Sequence, residues 1–155
     1  MTSKILGRFG AALVTTVALT GVALTAQTPA QTTAPTIVVY KTPTCGCCQK
    51  WVEHLQANGL TVLTQHRDDL SPLRAQHRVP AAVTSCHTAL VGPYVVEGHV
   101  PAADVKRLLA EKPAIKGIAV AGMPIGSPGM EGGTPQKFDT LAFTADGKTT
   151  VFAKH

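Results

Sequence analysis

Three of the four cysteines in this 155-residue chain fall within four positions, Cys45-Gly46-Cys47-Cys48, and the fourth stands beside a histidine in Cys86-His87. Thiolates are nucleophiles, disulfide partners and soft metal ligands, so such a cluster admits thiol-disulfide exchange, a structural staple or metal capture. Cys47 and Cys48 are adjacent, with alpha carbons about 3.8 Å apart, closer than an unstrained disulfide allows. Two bridges would therefore join one pair within Cys45, Cys47 and Cys48, and tie the remaining thiol to Cys86. The C-x-x-C spacing of Cys45 and Cys48 serves exchange and ligation alike. Cys47 favours ligation, since a third thiol beside a redox pair invites mispairing while a soft ion gains a ligand.

Apart from the initiator, the only methionines are Met123 and Met130, both in the run AIKGIAVAGMPIGSPGMEGG. Thioether sulfur suits copper(I), and together with thiolates it points away from calcium or magnesium. The expected metal ligands are Cys45, Cys47, Cys48, Cys86, His87, Met123 and Met130, with copper(I) as the ion and zinc, which takes four such ligands in a tetrahedron, as the alternative. His99 is a weaker candidate. His54, His66, His77 and His155 lack ligand-like spacing and read as surface residues. Trp51 and Tyr40 flank the cluster, Trp51 as core or as shelter for the site. Glu97 and Asp104 stand too isolated to act as an acid and base pair. No Ser/His/Asp arrangement, phosphate-cradling glycine loop or paired-carboxylate site is present.

The elements that must position these residues begin after an exported leader. Lys4 and Arg8 precede an apolar run from Phe9 to Leu24 and small residues around Ala23 to Ala30, the layout of a secretory signal. Residues 1–26 read as that signal, 27–35 as a flexible leader rich in Gln, Thr, Pro and Ala, and 36–155 as one domain. Without Lys4 and Arg8, twelve basic residues face nine acidic ones. This scattered excess gives little support to nucleic-acid binding, and no later segment is long and apolar enough to span a bilayer.

Within the domain, Thr36 to Lys41 is a β-branched strand. A helix across the cysteines follows, with Cys48, Trp51, Val52 and Leu55 on one face and Asn58-Gly59 as its stop. Its N-terminal peptide dipoles favour a thiolate at Cys45. Thr61 to Gln65 reads as a second strand, and Ser71-Pro72 opens a short helix ending near Arg78. Ala81 to Ser85 reads as a third strand and Tyr94 to Glu97 as a fourth. Pro101 opens a helix with Val105, Leu108 and Leu109 on one face. The order βαβαββα is that of a thioredoxin-like α/β domain, in which the turn at Val79-Pro80 faces the C-x-x-C helix. A long Gly/Pro/Met loop without helix or strand period follows Pro113, and a C-terminal β-hairpin, Thr140 to Thr144 with Thr149 to Ala153, turns at Asp146-Gly147.

The segments YKTPTCGCCQKWVEHL, SCHTALVGPYVVEGHVPAADVKRLL and GMPIGSPGMEGG resemble the DUF411 family, small bacterial proteins associated with copper binding and copper resistance, over about Ile37 to His155. The resemblance implies a thioredoxin-like domain, a periplasmic location and metal binding. Carried over by motif, the metal-site positions are Cys45, Cys47 and Cys48, then Cys86 with His87, then Met123 and Met130. A copper donor or acceptor protein is the partner such a role implies. Pro80 stands where many thioredoxin-fold oxidoreductases carry an active-site proline, which keeps open a second reading: a periplasmic thiol-disulfide oxidoreductase with Cys45 as nucleophile and Cys48 as resolving thiol.

Overall fold

The structure, a computed structural model, describes residues 1–2 and 35–155. Apart from Met1, Thr2 and Pro35, the expected signal and leader lie outside the described residues. No helix among the described residues is long and apolar enough to cross a membrane.

The chain forms a mixed α/β fold around one seven-stranded sheet of order β2-β1-β3-β4-β5-β6-β7. Strand β1 (Ile37–Lys41) lies parallel to β2 (Val62–His66) and antiparallel to β3 (Thr88–Val91). Strands β3 and β4 (Tyr94–Glu97) form a hairpin through Gly92-Pro93 in which Gly92 takes a φ of 54°, a conformation glycine adopts without a Cβ clash. Strand β5 (Gly117–Ala119) runs parallel to β4, and β6 (Asp139–Phe143) and β7 (Thr149–Lys154) extend the sheet as the expected C-terminal hairpin.

Side chains alternate across the sheet, so successive residues build two different apolar layers. Val96 and Ile118 face the larger core, which α1 (Gly46–Ala57) and α3 (Ala102–Glu111) cover with Trp51, Val52, Leu55, Val105 and Leu108. Val95 and Ala119 face the other side, against Val83 and Phe143. Helix α2 (Ser71–His77) carries proline in its first turn, with the Asp69 carboxylate accepting from the Ser71 N–H at 2.8 Å.

Two expectations need correction. Ala81 to Ser85 is not a strand: Ala81–Val83 is a single 3-10 turn closed by the Val83 N–H on the Pro80 carbonyl. The strand beside β1 starts at Thr88, where Thr88, Ala89 and Leu90 align with Tyr40, Val39 and Val38. Cys86-His87 therefore precedes the third strand instead of following it. The run after Pro113 is also not wholly irregular, since it contains β5. Three buried residues between two strands are too few to display a period, and their order comes from pairing with β4 and β6.

Candidate metal centre

The first half of the site is the start of α1. Cys45 occupies the N-cap position, its N–H directed at the Thr42 carbonyl (3.4 Å) and its carbonyl accepting from Gln49 (3.2 Å). A helix N-terminus, whose first N–H groups lack intrahelical partners, generally favours negative charge. One turn on, Cys48 is fully buried, whereas Cys45 and Cys47 are half-buried. Cys45 and Cys48 form a disulfide with alpha carbons 5.4 Å apart, and Cys47 and Cys86 are free thiols.

The second half arrives from the loop before β3. Cys86 Sγ lies 3.2 Å from Cys48 Sγ, and Cys47 Sγ lies 3.4 Å from Cys45 Sγ. The four sulfurs lie within 4.8 Å of one another. Cys86 also belongs to a second close group, with His87 and His99: His87 Nδ1 is 3.3 Å from its sulfur and His99 Nε2 is 3.0 Å away. Thus Cys86 is shared between a set of four thiols and a thiol with two imidazoles.

Hydrogen bonding assigns the tautomer of His99. Its Nδ1 is 2.8 Å from the Pro128 carbonyl, which can only accept, so Nδ1 carries the proton. Nε2 then presents its lone pair to Cys86, the arrangement in which ligating histidines are commonly held. His87 is completely buried against Trp51, their ring centroids 4.3 Å apart, and its Nε2 has no hydrogen-bond partner. An unsatisfied buried polar atom costs about 1–3 kcal/mol. Trp51 is itself fixed by donation from its indole N–H to the Val100 carbonyl at 2.8 Å.

Burial sets the electrostatics of this inner side. It pushes the Cys86 thiol up to about 12, assisted by the neighbouring Cys47. Burial holds His87 well below the usual histidine range, with His99 adding to the effect. It lowers His99 also, opposed by the Pro128 hydrogen bond and Glu131. The imidazoles are therefore neutral lone-pair donors at neutral pH, and Cys86 is a protonated thiol until something replaces its proton. A soft cation would do so with a Coulomb energy larger than in bulk water.

The methionine loop touches the site through its backbone. A Cβ on Gly129, whose φ is 87°, would lie 2.6 Å from the Cys47 carbonyl and 3.4 Å from His99 Nδ1, so the loop approaches this closely only with glycine there. Met130 follows directly and is partly buried, while Met123 is half exposed, at 51 %. The carbonyl just before Met123, that of Gly122, accepts from the Ser85 hydroxyl. The cysteines, His87 and His99 thus converge, while the methionines stand on a loop whose glycines contact the site.

Several residues have structural partners that their spacing did not reveal. Glu97 is completely buried and accepts from Arg74 Nε (2.9 Å), the Ser85 N–H (2.8 Å) and the Thr88 hydroxyl (2.6 Å). Asp104 accepts from Thr140 at 2.6 Å and is paired with His155 at 2.9 Å. His54 Nε2 accepts from the Ala102 N–H at 3.1 Å. His155 is exposed as expected and His54 partly buried, and both have structural partners. A carboxylate ending the otherwise apolar strand Tyr-Val-Val-Glu was the available signal for Glu97, since such a group must be paired when buried.

The family described as a protein of unknown function, DUF411, matches residues 83–130, a span that contains Cys86, His87, His99, Met123 and Met130. Two solved structures, forms 2 and 1 of a copper resistance protein copG, are similar to this chain at 39 % identity and a TM-score of 0.74. Each comparison covers 79 % of this chain, with 99 % of form 2 and 98 % of form 1. No curated protein sequence matches it. With the sequence match falling on the Cys86–Met130 half of the site and the structural likeness extending through most of the chain, the protein belongs to the DUF411 family.

Proposed function

We propose that this chain is an exported copper(I)-binding protein, a buffer or metallochaperone in copper resistance, that holds the ion through Cys45, Cys47, Cys48 and Cys86. His87 and His99 join the ligand set on geometry, and Met123 and Met130 support it from the loop. The observation that carries the reading is the approach of four sulfurs to within 4.8 Å of one another beside two neutral imidazoles. Soft sulfur and imidazole donors without a carboxylate among them suit copper(I), and suit zinc as the alternative ion. The likeness to copper resistance proteins supports copper over zinc. Export rests on the signal-like N-terminus, and the thioredoxin-like assignment on the order βαβαββα with strands arranged β2-β1-β3-β4.

The Cys45–Cys48 disulfide favours a second reading, thiol-disulfide exchange by that pair. The likeness to copper resistance proteins and the two imidazoles beside Cys86 favour ligation over exchange.

The test is anaerobic competition for copper(I) between the fully reduced protein and a chromogenic chelator. The wild type should withdraw the ion, and the Cys45→Ser/Cys48→Ser double variant should not. Equal retention by both, or by neither, sinks the copper reading. A Cys45-dependent turnover in a disulfide reductase assay, without copper retention, would install the second reading instead.

A further inference from the structure

The segment that delivers Cys86 and His87 has no regular structure of its own, lying between the 3-10 turn at Ala81–Val83 and β3. Its placement must come from elsewhere. The backbone of Ser85, the residue before Cys86, is held at both ends. Its N–H donates to Glu97 Oε1 at 2.8 Å, and its carbonyl accepts from Arg74 at 2.6 Å. Arg74 and Glu97 are themselves joined at 2.9 Å, so one guanidinium spans the carboxylate and the Ser85 carbonyl in a fork that a point charge does not reproduce. Thr88, just after His87, donates to the other Glu97 oxygen at 2.6 Å. Cys86-His87 is therefore a two-residue span with both flanks tied to one buried carboxylate.

Two further contacts extend the hold. The Ser85 hydroxyl donates to the Gly122 carbonyl beside Met123, and the Gly98 N–H donates to the His87 carbonyl at 3.0 Å. Gly98 separates Glu97 from His99, and a Cβ there would lie 2.6 Å from that of Ser85. The hub thus flanks Cys86-His87 on both sides and reaches the Met123 loop through Ser85, while Gly98 links Glu97 to His99 along the chain.

We infer that Arg74 and Glu97 are positioning residues of the site, which set the approach of Cys86 and its imidazole partners to the α1 thiols through the backbone of Ser85. Neither residue ligates the ion. The inference rests on the copper reading for its purpose, but its structural content is measurable in metal-free protein.

A second buried polar group, Asp104 with Thr140 and His155, ties α3 to β6 and the C-terminus and supplies the control. Arg74→Met and Thr140→Val variants are brought to equal stability by adjusting urea. Iodoacetamide alkylation of Cys86 is then followed by peptide mass spectrometry in the metal-free protein carrying the Cys45–Cys48 disulfide, and copper(I) affinity is measured by chelator competition on the reduced protein. Arg74→Met should alkylate at least about tenfold faster than wild type and bind copper(I) at least about tenfold more weakly, in the range seen when outer-shell support is lost. Thr140→Val should stay within about twofold of wild type in both. If Arg74→Met does not fold, Arg74→Lys decides: it keeps the charge without the fork and should move both readouts the same way by at least about threefold. Matched behaviour of the Arg74 and Thr140 variants, or wild-type behaviour of the Arg74 variant used, overturns the assignment. Failure of wild-type protein to bind copper(I) removes the copper reading alone, because Cys86 alkylation still decides the positioning.

Discussion

The α1 side of the site and the β3–β4 side are built on opposite terms. Cys45 and Cys47 are half-buried in the first turn of α1, and Cys45 is joined to the fully buried Cys48 as a disulfide. Cys86 is half-buried too, but it stands against the completely buried His87 and His99, and burial pushes its thiol up to about 12 and keeps both imidazoles neutral. One side is closed by a disulfide, the other presents a protonated thiol beside neutral imidazoles. Under the copper reading, an ion taken up by the reduced α1 thiols would make loss of the Cys86 proton favourable.

The largest effect expected from breaking this contrast comes from the shared residue. Cys86→Ser should weaken copper(I) binding by about 100-fold or more, above what outer-shell losses alone produce, while far-ultraviolet circular dichroism stays unchanged. Competition titration reads the affinity. A shift below threefold would mean that the outer thiols work alone.

Closing the gap between the sides with an unwanted atom comes next. Gly129→Ala places a methyl group 2.6 Å from the Cys47 carbonyl at a φ of 87°. Left-handed strain and the forced displacement together should cost about 2–4 kcal/mol in urea unfolding. Gly46→Ala is the counterpart on the outer side, where nothing lies within 4 Å of the added Cβ, and it should stay within about 0.5 kcal/mol or gain slightly from better helix propensity.

The buried thiol also predicts a pH effect. Between about 9 and about 12 the unfolded chain has released the Cys86 proton and the folded chain retains it. The folded state then binds more protons, so its stability falls as pH rises through that window. Fast urea unfolding of metal-free wild type should show the decline, and Cys86→Ser should make it shallower. Parallel curves for the two proteins would remove burial of Cys86 as the cause.

The smallest effect belongs to His54, on the far turn of α1. Burial depresses its pKa, and its neutral Nε2 accepts from the first N–H of α3. The stabilisation is present above the ordinary histidine value and is lost as pH falls through the depressed one. His54→Ala should cost about 0.5–1 kcal/mol at pH 8, with the difference from wild type shrinking toward pH 5.

The same contrast explains what was legible in the sequence. The α1 side is written locally: β-branched residues make β1, a four-residue cluster opens a helix, and Cys48, Trp51, Val52 and Leu55 repeat at helical spacing into the core. The inner side depends on contacts distant in sequence. Cys86-His87 was visible as chemistry, but its place ahead of β3 depends on Glu97 and Arg74, eleven and twelve residues away on other elements. The orientation of His99 comes from the Pro128 carbonyl, which no spacing rule exposes. Strand β5 escaped notice for the same kind of reason, since its three residues are ordered by neighbours and not by their own pattern.

The central claim is that both sides hold one ion, and copper K-edge X-ray absorption on copper(I)-loaded protein tests it most directly. The account predicts a sulfur-dominated shell with an imidazole contribution in wild type, less sulfur in Cys86→Ser, and a smaller imidazole contribution in His99→Leu. Spectra of both variants identical to wild type would contradict it, placing the ion on the α1 thiols without the buried side.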